Sequence, residues 1–473
     1  MGSDTERSIA IIGAGFTGTL LALHLLQHGS DHDRIYLIEK NRRFGSGLAY
    51  STANSNHLLN VRAGNMSAFA AEPDHFVNWL RRLAPETRRM IADDPPGPAS
   101  FAPRGLFGAY IQQLLAENIW REPHGNRLTI VNDEVVDLER RASGVVLKLA
   151  VGRSMAVDTA VLAIGNLPTA RKSGFTFGDP WDERATSDFD KARPILILGT
   201  GLTMVDTVTS LLDRGHRGPI YSVSRRGLLP RVHLPAASGQ SRLPAPWVFD
   251  PPPSITKLSW LLHRVRDACQ VAEYRRTDWR SVIDGLRPHT QRLWRDLTLE
   301  QRARFLRHLR PWWDVHRHRG APEVMMRIED ARVRGQLHVM AGKVSELHEI
   351  ENGIAAKITL RGGKDVITLQ ASRSIDCTGL GKDFTAVDHP LLGQLLAKGL
   401  ARPDLLGLGL NVTADGALIG TDGIAARDLF AIGPLTKGAF WEIVAVPDLR
   451  IACETMAARL LRRLPAPLLT APA

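Results

Sequence analysis

Ser8-Ile-Ala-Ile-Ile-Gly-Ala-Gly-Phe-Thr-Gly18 is the stretch on which the fold turns. Its first five residues are a short apolar run of the kind that forms a strand buried on both faces. Gly13, Gly15 and Gly18 follow at the spacing of a strand–turn–helix unit, in which backbone N–H groups at the helix start face a pyrophosphate. The helical pattern TLLALHLLQHG comes next. A second apolar run, Arg34-Ile-Tyr-Leu-Ile38, ends on Glu39, 21 residues after Gly18, where a dinucleotide fold places the acid that accepts from a ribose.

Working outward, the same logic recurs at Pro194-Ile-Leu-Ile-Leu198, followed by Gly199-Thr-Gly201-Leu-Thr-Met204 and the helical VDTVTSLLDRG. Met204 stands where a third glycine would be, so this helix is expected to pack slightly further from its strand. The next strand, Pro219 to Val223, leads into Ser224-Arg225-Arg226-Gly227 instead of an acid. Guanidinium groups there can pair with a 2′-phosphate, which points to NADPH, with NADH as the alternative. FAD is the expected ligand of the first unit.

Two more segments read as strands delivering a glycine, Asp158 to Gly165 and Ser374 to Gly379, and each is expected to close one unit. The predicted class is therefore α/β, with two Rossmann-like dinucleotide-binding domains, the second inserted into the first. Residues 1–188 would be the first part of the FAD-binding domain and 189–380 the NAD(P)-binding domain. A mostly helical cap insertion is expected at about 241–325, after the Pro-rich PAPWVFDPPPS at 244–254, and 381–473 would complete the FAD-binding domain.

Composition excludes several other classes. Over 473 residues, 44% are hydrophobic and 23% charged, the usage of a globular protein and not of a disordered chain. Cys269, Cys377 and Cys453 lie far apart, so no disulfide framework, zinc knuckle or vicinal redox dithiol is expected. The histidines lack a carboxylate at metal-ligand spacing, and no metal is expected. The N-terminus runs almost at once into a strand and no apolar run reaches the ~18 residues of a membrane span, which predicts a cytoplasmic protein without a membrane partner. The net charge of +11 is spread along the chain, without a nucleic-acid module, and suits anionic dinucleotides and an anionic substrate.

Further motifs carry a resemblance. Gly45-Ser-Gly47-Leu-Ala-Tyr50-Ser51, His57-Leu-Leu-Asn60-Val61, Met66-Ser67, Phe101-Ala-Pro-Arg104 and Gly108-Ala-Tyr110 occur in order in the first third. SRRGLLPRVH at 224–233, WWDVHRHR at 312–319, DCTG at 376–379, Gly433-Pro434 and Phe440 to Pro447 follow. Together they resemble the FAD/NAD(P)-binding family that includes bacterial FAD-dependent urate hydroxylases and a nitrosuccinate-forming aspartate N-hydroxylase. The resemblance spans essentially the whole chain and is less specific to one substrate. Beside it, the topology places Asn60 and Met66 in the loop passing over the flavin and Gly433 against the FAD phosphates, with Gly165 ending the closing strand. Trp441 and Glu442 would lie near the isoalloxazine.

The segment 278–319 holds four tryptophans, four histidines and ten arginines against five acids. Aromatic faces beside guanidinium groups suit a planar anion such as urate, and the same set would bind a dicarboxylate. Arg104, His289, Arg317 and Trp441 are the candidate catalytic residues. The reading favoured here is a single-component monooxygenase that consumes NAD(P)H and O2 and hydroxylates urate to 5-hydroxyisourate through a flavin C4a-hydroperoxide. An aspartate-type N-hydroxylase is the alternative. A redox sensor or electron-donating flavin reductase is a second.

Overall fold

The structure is a computed structural model that describes residues 6–91, 95–121, 127–166, 177–182, 185–187, 190–234, 257–363, 365–379 and 389–462. The Pro-rich segment at 244–254 lies outside the described residues.

Strand β1 (Arg7–Ile12) pairs in parallel with β2 (Asp33–Glu39) on one side and β7 (Thr159–Leu162) on the other. With β3 (Leu128–Asn132), β15 (Ala417–Ile419) and β16 (Ala425–Ala431) they form a six-stranded sheet in the order β15-β16-β7-β1-β2-β3. Its two faces follow from the two-residue strand period. Ile9 and Ile11 enter a core with helices α1 (Phe16–His28) and α4 (Arg104–Arg121), with α2 (His75–Arg81) and the short α3 (Pro85–Arg88) between them in sequence. Ala10 and Ile12 face a second core built with the antiparallel meander β4 (Val135–Arg141), β5 (Gly144–Leu149) and β6 (Ser154–Val157).

The chain leaves this sheet after β7 and regains it only at β15. In between, β8 (Phe177–Gly178), β9 (Ile195–Leu198), β10 (Ile220–Ser224), β11 (Leu337–Ile350), β12 (Gly353–Leu360), β13 (Val366–Ala371) and β14 (Arg373–Asp376) form a second sheet, ordered β13-β12-β11-β10-β9-β14-β8. This strand order expresses the nesting expected from the two glycine turns. Because Phe177–Gly178 pairs with β14, the second sheet begins before residue 189. Ile195 and Ile197 pack under α5 (Leu202–Asp213), while Leu196 faces the β11–β13 side.

Helices α6 (Leu258–Tyr274), α7 (Trp279–Gly285), α8 (Thr290–Asp296), α9 (Leu299–His308) and α10 (Arg310–Arg317) form a helical cap with its own apolar cluster. The next helix, α11 (Pro322–Val333), is not part of the cap. Its Val324, Met325 and Ile328 pack in the core of the second sheet, so the cap ends before Pro322 and not at 325. Helices α12 (Pro390–Ala397) and α13 (Val446–Leu461) belong to the first unit, α13 lying against α1. Among the described residues no helix is long and apolar enough to cross a membrane.

Candidate active site

The two glycine turns are built alike. Gly13 N–H donates to Ile38 O (2.8 Å) and Ala163 N–H to Ile12 O (2.8 Å); Gly199 N–H donates to Val223 O (2.7 Å) and Cys377 N–H to Leu198 O (2.7 Å). In each unit the closing strand, β7 or β14, presses against the first glycine. A Cβ on Gly13 (φ +101°) would stand 2.6 Å from Ala163 O, and one on Gly199 (φ +103°) 2.4 Å from Cys377 O. Gly18 is demanded by packing, because its Cβ would meet Gly13 O at 1.9 Å. At the equivalent place Met204 is fully buried in the second core.

The middle glycines differ. Gly15 (φ −68°) and Gly201 (φ −85°) have extended backbones open to any residue. A Cβ on Gly15 would meet only Gly47 Cα, at the ordinary distance of 3.5 Å, and one on Gly201 would meet nothing within 4 Å. The protein itself does not need a glycine at either place. The space left bare at a helix N-terminus is what a pyrophosphate requires, so both turns fit a dinucleotide.

Around the first turn several of the expected cofactor residues come together. Glu39 Oε2 accepts from Ala14 N–H (2.9 Å) and Oε1 from Asn41 N–H (3.0 Å), which fixes the carboxylate at the mouth of the turn. Gly45 N–H donates to Ala14 O, bringing the Gly45–Gly47 loop onto the turn. Gly433 (φ +79°) comes in from β16 so closely that a Cβ would lie 3.3 Å from Thr17 Oγ1 of α1. Gly165 (φ +73°) lies just past the end of β7 in open space. Met66 is buried in the first core, and Asn60 O accepts from His233 Nε2 (3.0 Å). His233 is held neutral, its pKa lowered to about 3 by burial and by Arg319.

Around the second turn, Thr200 Oγ1 contacts Ser224 Oγ (2.9 Å), which also accepts from Gly227 N–H (3.0 Å), so the 224–227 loop folds over the turn. Arg226 donates to His308 O (3.3 Å) and lies 5.9 Å from the Trp312 ring, tying the loop to the cap. Arg225 is exposed.

Arg104 goes elsewhere. Its Nη1 pairs with Asp206 of α5 (2.7 Å) and its Nε donates to Leu58 O (3.2 Å). Beside it His57 Nε2 meets Ser210 Oγ (2.7 Å), and Asn54 and Asn56 donate to Asp213 (3.0 and 3.1 Å). Asp206, Ser210 and Asp213 lie on one stripe of α5. Arg104 thus joins the two units.

The third set of residues is where the cap meets the segment after Gly433. Glu442, 5% exposed, has φ +69°, a left-handed backbone that costs a non-glycine residue on the order of 1–3 kcal/mol. The cap holds it there. Trp313 Nε1 donates to its Oε1 (2.9 Å), His318 Nε2 lies 3.3 Å from Oε1 and Arg317 Nε 3.5 Å from Oε2. Burial by itself would raise the carboxyl pKa, but His318, Arg317 and Trp313 outweigh it and bring it down to about 2. Arg317 and Trp441 are therefore brought together through Glu442. Trp441 stacks on Trp294 of α8 with centroids 4.7 Å apart, and Trp294 Nε1 donates to Gly438 O (2.8 Å).

The sequence signal of 278–319 reads differently in three dimensions. Arg280 is bound to Asp278 and Val232 O, Arg287 to Asp448, Arg302 to three carbonyls and Arg319 to Asp284. These four guanidinium groups are engaged within the cap or between the cap and its neighbours. His289 ends the 3₁₀ turn Arg287–His289, half-buried. The sequence reading missed Lys437 and Asp314. Lys437 Nζ lies 5.1 Å from the Trp441 centroid and Arg310 Cζ 5.9 Å, with Arg310 paired to Asp314 (3.3 Å). Nothing in the sequence around Lys437 marks it, because its setting is made by a helix more than a hundred residues earlier.

Three comparisons bear on these observations. Residues 10–167 match the FAD-NAD(P)-binding family. No curated protein matches the chain by sequence. Among solved structures, the ornithine N-hydroxylase of Kutzneria sp. 744, in a complex with reduced FAD, NADP+ and L-ornithine, is similar over 97% of this chain and 99% of its own, with a TM-score of 0.64 at 14% identity. The ornithine hydroxylase of Pseudomonas aeruginosa in its reduced form is similar over the same shares, with a TM-score of 0.63 at 14% identity. The L-lysine 6-monooxygenase of Pseudomonas syringae covers 96% of this chain and 99% of its own, with a TM-score of 0.61 at 15% identity. The two-unit fold is thus the one that these three solved structures share.

Proposed function

We propose that this chain is an FAD-dependent, NADPH-consuming monooxygenase that oxygenates a small anionic substrate. The observation that carries the reading is the pair of bare glycines, Gly15 and Gly201, each with space that the protein leaves unfilled, on two units nested in one chain. FAD, when bound, supplies the electron storage and the activation of O2 that such a reaction requires. The chain's own part is to hold and orient. Glu39 would accept the ribose hydroxyls of FAD, Gly13, Gly15, Gly18 and Gly433 would border its phosphates, and Gly199, Gly201, Arg225 and Arg226 would take the nicotinamide dinucleotide. Asn60, Met66 and Gly165 are proposed to line the FAD site. The Arg104–Asp206 contact would keep the two units in one relation, and the cap would exclude water.

For the substrate we favour an amino acid hydroxylated at nitrogen, of the aspartate type. Trp294 and Trp441 stack on one another and do not leave an open face between them for a purine. The groups beside them, Lys437, Arg310 and Asp314, offer both signs of charge, as an amino acid needs. Arg317 and Trp441 are the site residues proposed here, with His289 and Arg104 outside this cluster of contacts. In an oxygen-electrode assay, L-aspartate is expected to stimulate NADPH oxidation with matching O2 uptake and little hydrogen peroxide. Stimulation by urate with formation of 5-hydroxyisourate would return the purine reading. Turnover seen only with a partner protein would favour an electron-donating reductase.

Arg225 is the proposed reader of the 2′-phosphate, since Arg226 is already engaged by the cap. Arg225→Ala is expected to weaken NADPH by about 1–3 kcal/mol, the range of one charge-assisted contact, and to leave NADH nearly unchanged. Equal losses for the two cofactors in binding titrations would remove Arg225 from that role.

A further inference from the structure

We infer that Lys437 and Arg310, set against Trp441, form a subsite for an oxyanion edge of the substrate, most simply a carboxylate. The inference rests on the monooxygenase reading only for the word substrate; the site itself is argued from unmatched donors.

Among the described residues, Lys437 Nζ donates no hydrogen bond and forms no ion pair, although the residue is half-buried. Its neighbours are the Trp441 ring at 5.1 Å, Arg310, Asp314 and Glu442. Glu442 is already engaged by Trp313, His318 and Arg317, and Asp314 by Arg310. Burial and the like charge of Arg310 therefore lower the Lys437 pKa despite the two carboxylates. The indole offers a second unmatched donor: Trp441 Nε1 is buried, in a residue 3% exposed, and has no acceptor. A buried indole N–H without an acceptor and an unpaired ammonium beside the same ring suit an acceptor-only group, and a carboxylate has the two oxygens to meet them. Arg310, paired with Asp314, adds a second positive charge beside the ring.

The place is reachable. Arg310 and Asp314 keep 35% and 40% of their side-chain surface exposed, yet burial raises the pKa of Asp314. Gly433, only four residues before Lys437, touches Thr17 in the first turn of α1, so the subsite is on the segment that leads away from the first nucleotide cradle. A carboxylate of an amino acid and the anionic edge of a planar purine share the required chemistry, and the probes below separate them.

The test is binding to the FAD-loaded, oxidised protein without NADPH, by calorimetry, using L-aspartate, L-asparagine and urate as probes. L-Aspartate is expected to bind, and Lys437→Gln to weaken it at least about tenfold. Lys437→Arg should restore part of the loss, which a merely space-filling role would not produce. FAD absorbance and thermal midpoint serve as fold controls. Urate bound in place of aspartate, with the same dependence on Lys437, supports the subsite and overturns the amino-acid reading. Lys437-dependent binding without NADPH-driven oxygenation supports the subsite and overturns the monooxygenase reading. Equal affinity in wild type and Lys437→Gln, or no binding of aspartate or urate by the wild type at millimolar concentration, overturns the subsite.

Discussion

Gly15→Val is expected to yield a folded protein that has lost most of its FAD. The backbone of Gly15 is extended, so valine meets no backbone strain, and the only protein atom near its Cβ is Gly47 Cα at 3.5 Å. The branched side chain would instead stand in the space over the helix start that the pyrophosphate needs. A loss of affinity of tenfold or more, about 1.4 kcal/mol at least, is expected. Absorbance near 450 nm against 280 nm measures the occupancy, and full occupancy would sink the assignment of the first turn. Gly18→Ala is the informative contrast. Its Cβ would sit 1.9 Å from Gly13 O, so that variant is expected to lose the fold along with the cofactor.

The second large effect is at Glu442. Glu442→Gln preserves the shape but takes the negative charge away from Arg317, whose side chain is only 10% exposed. Leaving one partner of a buried pair uncompensated costs on the order of 3–5 kcal/mol. Unfolding by urea is expected to shift to lower concentration, and hydrogen exchange to rise across α10, which Glu442 clamps. A variant indistinguishable from wild type in both would show that the clamp carries no stability. The same carboxylate sets an acid limit. Its folded pKa of about 2 lies below the ordinary 4.5, so its contribution is fully present above pH 4.5 and disappears as pH falls towards 2. That difference corresponds to about 3 kcal/mol, and Glu442→Gln should lack this part of the acid dependence.

The fold was legible because its determinants are local. β1 and β9 are short apolar runs ending on glycines, and in both the alternate residues sort to opposite cores as the strand period dictates. Gly13 and Gly199 could be read because their left-handed backbones and the carbonyls packed against them leave no room for a side chain. Boundaries were less legible. That Phe177–Gly178 pairs with β14 depends on partners almost two hundred residues away, and the assignment of α11 to the second core depends on which face its apolar residues meet.

The cap shows the limit most clearly. A sequence can count ten arginines in 278–319, but charge alone does not say which of them face a ligand. Arg287 met Asp448, Arg319 met Asp284 through one nitrogen and Arg104 met Asp206, each a long-range pair that engages a guanidinium before any substrate could. What the sequence by itself determined was the pair of nested dinucleotide units, since glycine spacing and apolar periodicity act over a few residues of chain. Only the tertiary structure decided which charges remain unmatched, because the neutralisation of an ion depends on distance in space, and the chain brings Arg310 of the cap to Lys437 and Trp441 from more than a hundred residues earlier.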